Sequence, residues 1–228
     1  MTHGRSAAMR LALAGALLVI AIAGCSKKEP PAPPPPPSSS AVSLAVADAA
    51  PAADAAPEDA GPSRRSLAGK KVLHVGDSMV GGTFGLTKAL EKKVTAAGAK
   101  LVRHTQVNET LVSFDRGTTL KDLLRTHDPD IVLITLGMND ALVPHPEVFA
   151  KNIQNIVHHV GDRECWWLGP PKGQAASGLV KVLEDNVGTC HFFDASELEL
   201  ERTSDGIHPT NEGGARWADA FWAVFDPP

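Results

Sequence analysis

Four side chains in three short blocks have the types and spacing for acyl-transfer chemistry. Ser78 lies in HVGDSM, Asn139 in LGMND, and Asp205 and His208 in SDGIHPT. A serine hydroxyl is a poor nucleophile until an adjacent base takes its proton. An imidazole can take that proton near neutral pH and return it to a leaving alcohol. Asp205 precedes His208 with only Gly206 and Ile207 between them. A bend there lets the carboxylate reach one ring nitrogen, fixing the tautomer and stabilising the imidazolium, while the other nitrogen faces Ser78. Pro209 stiffens that loop by holding His208 out of the helical region. The Asn139 amide and the backbone N–H of Ser78 can then donate to a developing oxyanion. Asp140 is read as an acceptor that orders the loop. Taken singly, each block has a plainer reading: Ser78 as a helix cap, Asn139-Asp140 and Asp205-Gly206 as turns. Taken together, they point to hydrolysis or transfer of an acyl ester.

Groups so far apart in the chain need a scaffold that converges them. Five strand-like runs are expected at Lys71–Gly76, Lys100–Thr105, Ile131–Leu136, Cys165–Leu168 and Cys190–Phe193. Ile131–Leu136 is apolar except for Thr135, the pattern of a central strand covered on both faces. Helical spacing of apolar residues appears over Thr83–Ala97, Thr118–His127, a segment beginning near Pro146, Ser177–Val187 and Asn211–Phe225. Strands alternating with helices give βαβ units and a parallel sheet. Ligands of such sheets bind at the carboxyl ends of the strands. Ser78 follows the first strand, Asn139 the third, and Asp205 and His208 the fifth. Gly76 and Gly81-Gly82 let the backbone turn tightly around Ser78, which is expected just before the first helix, at its favourable N-terminus. Trp217 and Trp222 are read as core and edge packing. Met79, Glu109, His145 and Trp167 are secondary candidates for pocket walls.

Gly76-Asp77-Ser78, Gly137-Met138-Asn139-Asp140 and Asp205-Gly206-Ile207-His208-Pro209 resemble, in order, three blocks of the SGNH (GDSL-type) hydrolase family. The resemblance covers nearly all of Lys70 to Phe225. It implies a flavodoxin-like three-layer α/β/α sandwich with a five-stranded parallel sheet in the order 2-1-3-4-5. It also implies serine hydrolysis of esters, with Ser78, Asp205 and His208 catalytic. The α/β-hydrolase motif G-x-S-x-G is not matched, because Val80 stands where its last glycine would be. After the second strand the family usually supplies a glycine whose N–H is a third oxyanion donor. Here the stretch is Gln106-Val107-Asn108-Glu109-Thr110, and Asn108 takes the glycine position. Asparagine tolerates left-handed backbone better than most residues, so its N–H can still turn inward; alternatively its side chain narrows the pocket.

The front of the chain is of another kind. A basic start with Arg5 and Arg10 precedes the apolar run Leu11–Ala23, which is short for a transmembrane helix. It ends in Ile22-Ala23-Gly24-Cys25, which resembles the lipobox of bacterial lipoproteins. That resemblance implies a signal segment over 1–25, lipidation of Cys25 and a place in the cell envelope. Ser26 after the cysteine implies the outer membrane, facing the periplasm. Residues 26–65, with proline at all but one position from Pro30 to Pro37, read as a disordered tether that could reach ~100 Å when extended. Residues 66–228 form the catalytic domain. Beyond Cys25, only Cys165 and Cys190 remain. In an oxidising compartment these two can join neighbouring strands, or they can be two buried thiols.

With a net charge of −4 and no sizeable Lys/Arg cluster, the chain lacks the basic face of a nucleic-acid binder. The cysteine and histidine spacings suggest no metal site, and no cofactor is expected. The expected function is hydrolysis of acetyl or other short acyl esters of a carbohydrate, peptidoglycan or a small ester by a tethered monomer. An O-acyltransferase using the same residues, or a non-catalytic domain that kept the fold, are the alternatives.

Overall fold

The computed structural model describes residues 65–173 and 178–226. The expected signal segment with Cys25, and the tether up to residue 64, lie outside them. Among the described residues there are five strands: β1 (Lys71–Gly76), β2 (Lys100–Thr105), β3 (Ile131–Thr135), β4 (Glu164–Leu168) and β5 (His191–Phe193). They form one sheet in the order β2-β1-β3-β4-β5, and every pairing is parallel. Six α-helices connect or flank them: α1 (Gly85–Ala96), α2 (Leu111–Arg116), α3 (Thr119–His127), α4 (Ala150–Val160), α5 (Leu179–Asn186) and α6 (Asn211–Phe225). The result is a flavodoxin-like α/β/α sandwich.

Strand side chains alternate between the two faces of a sheet, and here each face has its own core. Val72, Ile131, Leu133, Trp166 and Leu168 pack with Leu86, Leu90 and Val94 of α1 and Trp217, Phe221 and Phe225 of α6. Leu73, Val75, Val132, Ile134 and Trp167 pack on the other face with Leu111, Leu120, Ile153, Ile156 and Leu183 of α2 to α5. Two sided burial explains why β3 is apolar at nearly every position. Among the buried polar residues, His74 on β1 is fully buried and lies between the hydroxyls of Thr87 (3.2 Å) and Thr135 (2.9 Å). Burial pushes its pKa down to about 3, so the ring is neutral.

Local chemistry sets the helix ends. The Thr110 hydroxyl accepts from the Ser113 N–H (3.1 Å) and the Ser113 hydroxyl accepts from the Thr110 N–H (2.9 Å), a reciprocal cap that starts α2. Helix α2 has no counterpart among the helices expected from the sequence. Helix α3 ends at Asp128, whose φ of 42° is left-handed, followed by Pro129. A 3-10 turn over Pro146–Phe149 leads into α4, which therefore starts at Ala150 rather than near Pro146.

Cys165 of β4 and Cys190, just before β5, form a disulfide between neighbouring strands, with Cα atoms 4.5 Å apart. It lies at the amino ends of the strands. Arg65, the first described residue, bridges to Glu164 (2.7 Å) and stacks 4.4 Å from the centre of the Phe225 ring.

Candidate active site

The site begins where β1 stops. Gly76 has φ 149°, and a Cβ there would lie 1.8 Å from the Thr135 carbonyl oxygen of β3. Only glycine lets the chain leave the sheet along this line, and the Asp77 N–H bonds that same carbonyl at 3.1 Å. Ser78–Val80 then form one 3-10 turn, while α1 begins only at Gly85. The expectation that Ser78 stands at the N-terminus of the first long helix is therefore corrected. The segment from Gly81 to Phe84 intervenes, and Asp77, not a helix dipole, orders the backbone around the serine.

Asp77 is buried and ties two loops together. Its Oδ1 accepts from the Met79 N–H (2.9 Å), and its Oδ2 accepts from the N–H groups of Gly137 (3.2 Å) and Met138 (3.0 Å). Burial raises its pKa to about 6, outweighing the three hydrogen bonds that pull it down. Asp140 plays a parallel part. Its carboxylate accepts from the Leu111 N–H at 3.0 Å, and burial raises its pKa to about 6.

The third loop folds back on itself. Arg202 and Pro209 form an isolated antiparallel bridge, and the Thr203 N–H donates to the His208 carbonyl at 2.8 Å. Within this bend Asp205 Oδ1 accepts from the Thr203 hydroxyl (2.7 Å) and from the N–H groups of Ile207 (2.8 Å) and His208 (3.0 Å). Its Oδ2 is left to face His208 Nδ1 at 2.7 Å. The His208 hydrogen bond, followed by those from Ile207, Thr203 and the His208 backbone, holds this carboxyl well below the usual carboxylate range. The other ring nitrogen, His208 Nε2, lies 2.8 Å from Ser78 Oγ. Helix α6, which follows this loop, is packed against the start of α1. A Cβ on Gly214 of α6 would lie 2.3 Å from the Gly85 carbonyl carbon, and the Asn211 side-chain oxygen accepts from the Gly85 N–H at 3.2 Å.

Asn139 lies in a 3-10 turn over Met138–Asp140, and its Nδ2 donates to the Glu109 carbonyl at 2.8 Å. An amide nitrogen carries two hydrogens, so that bond leaves one for a ligand and fixes the Asn139 loop against the Asn108 loop. Asn108 itself is exposed, with a left-handed φ of 60°. Of the secondary candidates, Met79 and Trp167 are buried core residues, His145 is exposed, and Glu109 contributes its carbonyl to Asn139. Sequence reasoning passed over the three-way tie at Asp77 and the Gly85–Gly214 contact; the glycines alone were their signal. Among the described residues no group of three or more His, Cys, Asp or Glu could hold a metal ion, and no helix is long and apolar enough to cross a membrane.

A serine, an imidazole and a carboxylate in this relay can activate a hydroxyl for attack on an ester carbonyl. No protein-family model matches the chain. Protein BcsX of Komagataeibacter xylinus is 24% identical over 199 residues, covering 68% of this chain and 76% of that protein. A family 3 carbohydrate esterase of Clostridium thermocellum superposes with a TM-score of 0.55 at 20% identity, over 68% of this chain and 96% of its own. The acetyl xylan esterase AlAXEase does so with a TM-score of 0.54 at 17% identity, over 68% and 98%. At these identities the likeness is one of fold: the chain has an α/β fold shared with several ester-cleaving enzymes.

Proposed function

We propose that the chain is an SGNH-type serine esterase that removes acetyl or other short acyl groups from a carbohydrate ester. One observation carries the reading: His208 joins Asp205 Oδ2 at 2.7 Å to Ser78 Oγ at 2.8 Å through its two ring nitrogens. Ser78 Oγ attacks the ester carbonyl carbon as its proton passes to His208 Nε2. The oxyanion is held by the Ser78 N–H, the free Asn139 amide hydrogen and the Asn108 N–H, for which the left-handed backbone at Asn108 is the supporting feature. Collapse breaks the carbon–oxygen bond to the alcohol, which takes the proton from His208. Water, deprotonated by His208, then attacks the acyl-serine, releasing the carboxylic acid and restoring Ser78. Asp205 stabilises the imidazolium in both halves.

The carbohydrate part of the reading draws support from the likeness of fold to a carbohydrate esterase and an acetyl xylan esterase. The envelope location, with lipidation at Cys25 and the following segment up to residue 64 as tether, rests on the Ile22-Ala23-Gly24-Cys25 block. The test is a panel of short- and long-chain nitrophenyl esters and acetylated glycans, assayed with wild type and Ser78→Ala. Acetyl esters are expected to turn over fastest, and Ser78→Ala to lose at least about 10³-fold in kcat with the fold intact. Equal turnover by the two proteins would reject Ser78 as nucleophile. Acyl transfer to a glycan hydroxyl with little free acetate would instead make the protein a transferase.

A further inference from the structure

Six large apolar side chains are exposed among the described residues, and four of them sit on the loops that carry the candidate site. Phe84 follows Ser78, Val107 precedes Asn108, Leu142 follows Asn139, and Ile207 precedes His208. Isolated exposed apolar residues are ordinary, but a set gathered around a polar centre marks a binding surface. Phe84 and Val107 line a cleft of about 330 Å³ that reaches Ser78 and His208. Small-molecule sites span roughly 300–1,000 Å³, so the cleft holds far more than an acetyl methyl group.

The backbone presents Phe84 deliberately. Gly81 (φ 77°) and Gly85 (φ 68°) bracket it, both in conformations that favour glycine. A Cβ on Gly81 would lie 2.8 Å from the Phe84 carbonyl oxygen, and one on Gly82 would meet the Phe84 ring at 3.9 Å. The ring thus lies over bare backbone, 51% exposed, at the mouth of the cleft. Thr105, also in the wall, donates its hydroxyl hydrogen to the Asp77 carbonyl at 2.9 Å, so toward a ligand it can act only as an acceptor.

Direction follows from the reaction. The leaving oxygen must come within reach of His208 Nε2, which is at the wall. Resting on the esterase reading above, we propose that Phe84 and Val107 form the leaving-group subsite. It takes an alcohol with an apolar face, the C–H face of a pyranose ring stacked on Phe84.

Two substrate series test this on the full chain. One holds the acyl group as acetyl and varies the alcohol from ethanol to a methyl pyranoside. The other holds nitrophenol and lengthens the acyl chain. Phe84→Ala is expected to raise KM for the acetylated pyranoside about tenfold relative to ethyl acetate, with the acyl-length profile unchanged and Phe84→Trp restoring the wild-type value. A changed acyl-length profile with unchanged alcohol preference would overturn the assignment and make the cleft the acyl pocket; no change in either would overturn it as well. Calorimetric binding of methyl pyranosides to Ser78→Ala, with and without Phe84→Ala, reads the subsite without chemistry. Equal affinity of those two proteins overturns the subsite, whereas turnover by Ser78→Ala overturns only the esterase reading.

Discussion

At the amino ends of β1, β3 and β4 carboxylates meet cations: Asp130 takes Lys70 (3.0 Å), and Glu164 takes Arg65 (2.7 Å). The Cys165–Cys190 disulfide ties β4 to β5 at the same end. At the carboxyl ends the carboxylates of Asp77, Asp140 and Asp205 accept backbone N–H groups, from their own turn (Met79, Ile207) and, for Asp77 and Asp140, from distant loops (Gly137, Met138, Leu111). Their protonation differs accordingly. The Lys71 N–H, then the Lys70 ammonium, lower the Asp130 pKa, and for Glu164 the bonds from Arg65 and Trp166 outweigh the opposing effect of burial. Burial raises Asp77 and Asp140 to about 6, while at the same rim the exposed Asp205 is held low by its bonds from His208, Ile207 and Thr203. An ion pair between exposed groups holds two segments together with wide tolerance in direction. A buried carboxylate shared among N–H groups sets direction, at a cost in desolvation. The floor of the sheet is fastened, whereas the rim is aimed.

If that division is real, changes at the rim should slow chemistry and changes at the floor should only weaken the fold. Asn139→Ala is the strongest test at the rim. On the proposed esterase reading this removes an oxyanion donor and is expected to lower kcat roughly 10²–10³-fold. Its single bond to the Glu109 carbonyl is exposed and contributes about 1 kcal/mol or less to stability. Steady-state kinetics beside thermal melting check both halves, and a large fall in melting temperature with kcat intact would reverse the assignment. At the floor, Cys165→Ala with Cys190→Ala removes a cross-link spanning 25 residues, expected to cost ~3 kcal/mol in the chain-entropy view. Urea unfolding should show that loss while kcat/KM on an acetyl ester stays at the wild-type value. A parallel loss of activity would mean the floor also aims the site.

The fold was largely legible because its signals are long and redundant. Ile131–Leu136, between Asp128-Pro129 and Gly137, has the pattern expected of an inner strand, and the alternation of strands with amphipathic helices pointed to a parallel sheet. Helix α2 was missed because six residues make fewer than two turns and show too little periodicity, and its signal is the Thr110–Ser113 cap. Ser78, Asp205 and His208 stood out because their types and order do. The disulfide was one of two open readings, decided by the register that sets Trp166 opposite His191 and so brings Cys165 beside Cys190. What the sequence withheld was relational. Nothing in Gly76-Asp77-Ser78 says that Asp77 will hold two N–H groups some 60 residues away. Nothing marks Phe84 as exposed, since exposure depends on the neighbours a fold provides.

Asp77 is the residue at which aiming and fastening meet, and the effect of removing its charge is the smallest of those expected. Burial holds its pKa at about 6 in the native protein, against an ordinary carboxyl value of 3.8. Between roughly pH 4 and pH 6 the native state therefore binds more protons than the unfolded chain, and Asp77's contribution to stability falls as pH rises. His74, pushed down to about 3, acts with the opposite sign over much of that range, but it is common to wild type and Asp77→Asn and cancels in their difference. The stability advantage of wild type over Asp77→Asn should therefore shrink by about 2 kcal/mol from roughly pH 4 to pH 6. Denaturant unfolding across that range measures it, and parallel curves for the two proteins would show that Asp77 does not titrate there. The same substitution bears on kcat. An asparagine offers one oxygen and one NH₂ where the carboxylate offers two acceptors, so it must leave either the Met79 N–H or the Gly137 and Met138 pair unmatched. Because Met138 directly precedes Asn139, kcat should fall even at neutral pH, where the double cysteine variant, though less stable, should not slow at all.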